Sequence, residues 1–285
     1  MTQERITHPG SAGVSPASRK AGNHRDAARR VSPEPVPLSE GSPVLATLEG
    51  WSLQEYRVVT STNVIAAALP PWTAVRAEVQ TNGRGRFQRN WISDLGGLWL
   101  SAVVPLDKNP LMRRALPLGT GLAVCNTLRE LGVSGLRLRW PNDVLVNNRK
   151  LAGLLIDQFV PGLAVVGIGL NVSNEPEKLN PSLTNSTARL ADLSPKLPKL
   201  RELAALILRN LRIVLTDLDR NGAASLFVHV NELWSAPRRV ELDLDGVVCK
   251  GLFTGVDEAG RLVLSGRDGK LCFYDAHQVR HLTEI

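Results

Sequence analysis

Lys150 opens an apolar run, KLAGLLI, seven residues after Asp143 in the stretch LRLRWPNDVLVNNRKLAGLLI at 136–156. Leu136, Leu138 and Trp140 alternate with Arg137 and Arg139, and Val144 to Val146 resume the apolar pattern. Asn147-Asn148 then supplies a turn that tolerates positive φ before Leu151 to Ile156 return. The pattern predicts a hairpin whose return strand starts at Lys150, with its ammonium over the sheet near Asn142 and Asp143. A surface ion pair at a hairpin end accounts for that placement; so does a cation kept for an anionic substrate. A second motif favours the substrate. QTNGRGRFQRNW at 80–91 follows a strand-like run, Thr73 to Val79. Gly83 and Gly85 let backbone approach a ligand closely, and Arg84, Arg86 and Arg89 bring three planar, forked donors to one loop. Such groups suit carboxylate and phosphate, although the loop has neither a P-loop nor a dinucleotide-binding pattern.

Taken in order, STN at 61–63, Gln80 with GRGR at 83–86, Trp91, WPND at 140–143, KLAG at 150–153 and GIGLN at 167–171 resemble the catalytic domain of biotin protein ligases. The resemblance is strong over about residues 55–175 and extends beyond them in architecture only. It implies an α+β fold, a mixed β-sheet with helices related to class II aminoacyl-tRNA synthetases, followed by a small C-terminal SH3-like β-barrel. It also implies a two-step reaction. Biotin and Mg·ATP give bound biotinyl-5′-adenylate, and a lysine of a biotin carboxyl carrier domain is then acylated as AMP leaves.

The residue types fit that chemistry. A biotin carboxylate must meet the α-phosphate of ATP, and two anions resist approach unless cations are already in place. By resemblance, Lys150 and Arg86 reach the biotin carboxylate and phosphate, and Asp143 joins them as a catalytic residue. Asp143 has two open roles: holding Mg²⁺, or steering and deprotonating the carrier lysine. Ser61, Thr62, Asn63 and Gln80 are placed around the ureido ring of biotin, with Arg84 and Gly85 adding backbone contacts. Ser61 or Thr62 also suits the N-cap of a short helix, Asn63 to Leu69, and the two roles are compatible. Trp91, as an adenylate wall or as simple packing, joins Arg89, Asn142 and Asn171 on the ATP side. Phe87 and Gln88 stand where the family usually has Arg-Gly, Asn82 replaces a small residue, and Arg139 replaces a lysine common before WPND. The first of these departures bears on how firmly the loop covers the adenylate.

The remainder of the 285 residues supplies elements to position these groups, with 43% hydrophobic residues to build a core. Residues 1–45, rich in Ser, Pro, Ala, Gly and Arg, are expected to be a disordered tail without room for the helix-turn-helix domain of many relatives. Residues 46–235 are expected to form the catalytic domain and 236–285 the barrel. Strands are predicted at Gln54 to Thr60, Thr73 to Val79, Gly97 to Val104 and Leu163 to Leu170. Leu111 to Leu131 reads as a helix stopped by Gly132, with Pro117 bending it or marking a late start. Ser173 to Ser194 reads as polar connection. Leu200 to Leu218 is an amphipathic helix ending near Asn221-Gly222, and Ala223 to Trp234 a shorter one. After Arg238, RRVELDL, VVCKGLFTGV, RLVLS and KLCFYD alternate between DG-type turns, as in an antiparallel barrel.

Three scattered cysteines and five histidines show no metal-ligand spacing, which suggests reduced packing residues and a cytoplasmic location. No apolar run is long enough to span a membrane. A lipoate or octanoate ligase or transferase shares the expected fold but normally lacks GRGR followed by WPND. The net charge of +7 admits a nucleic-acid-binding regulator, yet few aromatics accompany the arginines and specific DNA binding is not expected. Homodimers form through sheet edges in the family. Leu163 to Leu170 and the barrel are the candidate edges here.

Overall fold

The computed structural model describes residues 39, 41–106, 109–194, 196–234 and 236–285. The expected tail, apart from its last few residues, lies outside them. Residues 37–285 form one compact unit. Its first sheet has eight strands: β1 (Val44–Leu48), β2 (Trp51–Val59), β3 (Thr73–Gln80), β4 (Leu98–Pro105), β5 (Leu136–Arg139), β6 (Asp143–Val146), β7 (Arg149–Asp157) and β8 (Leu163–Leu170). Their order is β1-β2-β3-β4-β8-β7-β6-β5. Only β2 and β3 run parallel among these pairs, because α1 (Thr62–Ala66) returns the chain between them. β1 begins inside the stretch expected to be tail. Its exposed Val44 and Leu45 pair with the backbone of β2, an interaction that alternation in so short a run does not announce.

Three expectations change. The run before Val144 is not one strand, because residues 140–142 turn β5 back on β6 and Arg139 pairs with Asp143. β8 is interior, between β4 and β7, and offers no edge for a dimer. Pro117 lies within α2 (Pro110–Glu130), which starts earlier at the Asn109 cap and continues through the proline. The predicted turn after β6 is present, with Asn147 and Asn148 at φ 48° and 61°.

Period-two alternation divides the sheet into two faces. On one, Leu98, Leu100, Ala102 and Val104 of β4 and Ala164, Val166, Ile168 and Leu170 of β8 bury against α2 and α4. The helix α4 (Leu200–Leu233) carries a non-helical Gly222 at φ 77°, matching the two helices expected from the sequence. Trp51 is fully buried here and donates from Nε1 to the Leu208 carbonyl at 3.2 Å. On the other face, Val75, Val103 and Val165 lie under Ala66 of α1. The positions beyond this small cluster line the site.

A second, antiparallel sheet follows the α4 helix. It contains β9 (Arg238–Leu244), β10 (Val247–Val256), β11 (Leu262–Ser265), β12 (Leu271–Tyr274) and β13 (His281–Glu284), in the order β12-β11-β10-β9-β13. β13 was not legible as a strand. Trp234 ties the two sheets, donating to Leu138 O at 2.8 Å and meeting Phe253 edge-on at 5.0 Å. Arg114–Asp275 at 2.7 Å and the Arg137–Glu284 pair add charged contacts.

On β2, Glu55 is 6% exposed and accepts from Arg76 of β3 at 2.7 Å and from Arg201 of α4. Burial alone would raise its carboxyl, but bonds from Arg201 and Arg76 hold it below the usual value. A depressed native pKa contributes stability that is present at neutral pH and is lost as pH falls through the carboxylate range. Glu55→Gln is therefore expected to cost about 2 kcal/mol at pH 7 and less near pH 3, measured by urea unfolding at both values.

Candidate active site

One cavity of about 980 Å³ opens on the sheet face opposite the α2 and α4 helices, and every residue expected at the site lines it. Its floor is made by missing side chains. Gly153 of β7 and Gly167 and Gly169 of β8 occupy positions whose neighbours in sequence point into the core. A Cβ at Gly167 would lie 2.4 Å from Asn63 Oδ1, and one at Gly169 would lie 2.5 Å from Trp91 Nε1. One at Gly153 would meet the Trp91 ring at 2.8 Å. These glycines let Asn63 and Trp91 lie directly on the strands.

At one end of the cavity a polar network links α1, β3, β4 and β7. Gln80 Oε1 accepts from the Thr62 backbone N–H at 2.8 Å and lies 3.0 Å from Thr62 Oγ1. Its Nε2 donates to Ser93 Oγ at 2.8 Å, whose hydroxyl donates to Trp91 O at 3.0 Å. Ser101 Oγ stands 2.6 Å from Asn63 Oδ1 and 2.7 Å from Thr62 Oγ1; its one proton serves one of them. Asn63 Nδ2 donates to Asp157 at 2.8 Å. Ser61 is buried at the N-cap position, but its side chain makes no cap bond; the first helical N–H, that of Thr62, is met by Gln80 Oε1 instead. Sequence reading missed Ser93, Ser101 and Asp157. The available signal was a small polar residue inside an apolar strand, LWLSAVV for Ser101.

Charge gathers elsewhere along the cavity. Ala152 pairs with Val144, but Lys150 pairs with Leu145, so a bulge sits at Leu151. Leu151 and Ala152 both enter the core. The bulge flips the alternation and brings Lys150 to the same face as Gly153, where an added Cβ would lie 3.1 Å from Lys150 Cε. Lys150 Nζ lies 2.7 Å from Asp143 Oδ1 and 5.0 Å from the Trp91 ring centroid. Asp143 Oδ2 accepts from Arg139 Nη2 at 2.6 Å. Burial would raise the Asp143 carboxyl, but Lys150 and Arg139 outweigh it and hold the group below its ordinary value. The polar connection expected at 173–194 does more than connect. Lys150 N–H donates to Ser186 O at 2.8 Å and its carbonyl accepts from Ala188 at 2.9 Å, which ties this segment beside β7.

The Gly-Arg loop closes on itself through Gly85 N–H to Arg89 O at 2.8 Å and Trp91 N–H to Gly83 O at 2.9 Å. Arg84 pairs with Asn90 in an isolated bridge. Arg86 Nη2 donates to the carbonyls of Ala276 and, at 3.1 Å, Val279. Its Nη1 lies 3.4 Å from Asn142 Oδ1. Burial and Arg89 lower its guanidinium to about 10 against the pull of Asp143, so it stays cationic at neutral pH. Asn142 Nδ2 donates to Leu154 O at 2.7 Å, and Asn171 Oδ1 accepts from Asn174 at 3.1 Å; both amides have structural partners. Among the described residues no three His, Cys, Asp or Glu side chains cluster as metal ligands.

Residues 57–172 match the model of the biotin/lipoate A/B protein ligase family. The bifunctional ligase/repressor BirA of Escherichia coli is 31% identical over 246 residues, 83% of this chain and 76% of that protein. The biotin–[acetyl-CoA-carboxylase] ligase of Mycobacterium tuberculosis is 33% identical over 213 residues, 72% of this chain and 77% of its own. The chain belongs to the biotin protein ligase family. The biotin protein ligase of Aquifex aeolicus, in complex with biotin and ATP, superposes with a TM-score of 0.72 at 25% identity, covering 82% of this chain and 99% of that one.

In this family member the floor glycines explain why GIGLN and KLAG contain small residues inside strands. Gly169→Ala should displace the Trp91 indole and weaken biotin and ATP binding about tenfold or more. Overpacking is expected to cost about 1–3 kcal/mol. Isothermal titration alongside thermal unfolding checks both.

Proposed function

We infer that this protein is an ATP-dependent biotin protein ligase. It activates biotin as biotinyl-5′-AMP and transfers the acyl group to a lysine of a biotin carboxyl carrier domain. The observation that carries the residue assignment is Lys150, turned by the Leu151 bulge into the cavity, beside Asp143 and over Trp91.

In the first step a biotin carboxylate oxygen attacks the α-phosphorus, the bond to the bridging oxygen breaks, and pyrophosphate leaves with the electron pair. Lys150 is proposed to contact the carboxylate and the bridging oxygen, where negative charge builds. Arg86 has five N–H donors; three are directed at Asn142, Ala276 and Val279, which leaves two for carboxylate or phosphate. Mg²⁺ enters as part of the nucleotide substrate, consistent with a site in which the Asp143 carboxylate already faces Lys150 and Arg139.

The network of Thr62, Asn63, Gln80, Ser93 and Ser101 offers acceptors and donors of the kind a ureido ring needs, with backbone from Arg84 and Gly85. Trp91 is proposed to separate that end from the nucleotide, and Arg89, Asn142 and Asn171 to line the nucleotide side. In the second step the carrier amine attacks the acyl carbon and AMP leaves. Asp143 serves better as the anchor that orients Lys150 than as a base, because its depressed pKa makes it a poor proton acceptor. We place the reaction in the cytoplasm; its three cysteines are free, and no helix among the described residues is long and apolar enough to cross a membrane.

Lys150→Ala should slow adenylate formation about 100-fold or more in single turnover. Lys150→Arg should not restore it, since a planar fork cannot replace a point charge packed between Asp143 and Trp91. Near wild-type formation by Lys150→Ala would overturn the assignment.

A further inference from the structure

Phe87 sits in a left-handed conformation at φ 54°, followed by Gln88 at φ 58°. Two consecutive non-glycine residues in that region are strained, and such strain persists only where surrounding contacts hold it. The contacts here are cations. The Arg86 guanidinium lies 4.8 Å from the Phe87 ring centroid, and Arg280, in the bend that leads into β13, lies 4.6 Å from the same ring. Arg280 is itself oriented by Asp245, which accepts from its Nε at 3.1 Å and faces its Nη2 at 3.0 Å. Around the ring, Arg86 donates to Ala276 O and Val279 O, and Arg89 Nη2 donates to Arg280 O at 3.3 Å. Arg89 Nη1 also meets His281 Nδ1 at 3.4 Å. Burial, Arg89 and Arg139 depress that imidazole, so it faces Arg89 as a neutral acceptor.

We propose that Phe87 is a positioning residue: in contact with both Arg86 and Arg280, it latches the Gly-Arg loop to the 276–281 segment and holds the loop closed over the activated acyl group. Phe87 touches no reacting atom. It acts through Arg86, whose two Nη2 contacts lie on that segment. The ring takes its hold from the segment that leads into β13, so a loop with Phe-Gln after GRGR keeps closure through an aromatic face and a cation from a distant part of the chain. The left-handed turn at Phe87 brings the ring within reach of both guanidinium groups, and their contact with it is the hold proposed for that turn.

The proposal rests on the ligase reading, and its test separates the two. The full-length protein is loaded with biotin and ATP labelled at the α-phosphate, chased with excess unlabelled substrates without carrier, and the escape of adenylate is timed. Failure of the wild-type protein to form adenylate would defeat the ligase reading itself. Given adenylate, Phe87→Ala and Phe87→Leu are each expected to speed escape about 5- to 30-fold, with unchanged thermal midpoint, and Phe87→Tyr to restore retention. Arg280→Gln should match Phe87→Ala, Arg280→Lys should recover part of the effect, and the double variant should be no leakier than the worse single one. Retention by Phe87→Leu equal to wild type, or additive effects of Phe87→Ala and Arg280→Gln, would overturn the latch. Should Phe87→Ala lose its fold, the Arg280→Gln and Arg280→Lys comparison decides on the same readout.

Discussion

The site depends on one largely enclosed carboxylate with a cation on each oxygen. Asp143 lies between Lys150 and Arg139, and none of the three is fully exposed. A lone carboxylate there would tend to take up a proton, and two cations without it would repel each other; together they hold a fixed arrangement. The hairpins β5–β6 and β6–β7 bring the three together, and the bulge at Leu151 decides which face Lys150 occupies. Without that extra residue the lysine would point into a hydrocarbon core, where its charge would be untenable.

The opposite requirement, open space, is met by absence. Three strand glycines remove the side chains that would otherwise fill the cavity, and Asn63 and Trp91 settle into the gaps. The cavity is roofed from outside the sheet that makes its floor. The loop at 83–91 crosses it, residues 186–188 run beside Lys150, and the 276–281 segment supplies carbonyls and an imidazole to the loop's arginines and a cation to the Phe87 ring. The second sheet is thereby part of the enclosure. Its attachment through Trp234, Arg114 and Arg137 then bears on chemistry as well as stability.

Much of this was legible in the sequence because it is local. Alternation marked most of the strands, the asparagine pair marked the turn before β7, and Gly222 broke the α4 helix where expected. The motif residues converge on one cavity because the strands, the short α1 helix and the loops that carry them are brought to the same face by the sheet order. What escaped reading depends on pairing at a distance. β1 and β13 are short strands defined by their partners, the reversal at 140–142 interrupts a run that alternates like one strand, and a bulge has no signature in residue type. The second role of Arg86 and Arg89 was hidden for the same reason: their acceptors lie about 190 residues away.

On this reading the cavity joins a biotin carboxylate to the α-phosphate of ATP. Rapid-quench single turnover with α-labelled ATP, run in parallel with biotin and with lipoate and followed by a carrier domain, measures it directly. An adenylate is expected with biotin alone, discharged when the carrier is added. An adenylate formed with lipoate instead, or with neither acid, would contradict it.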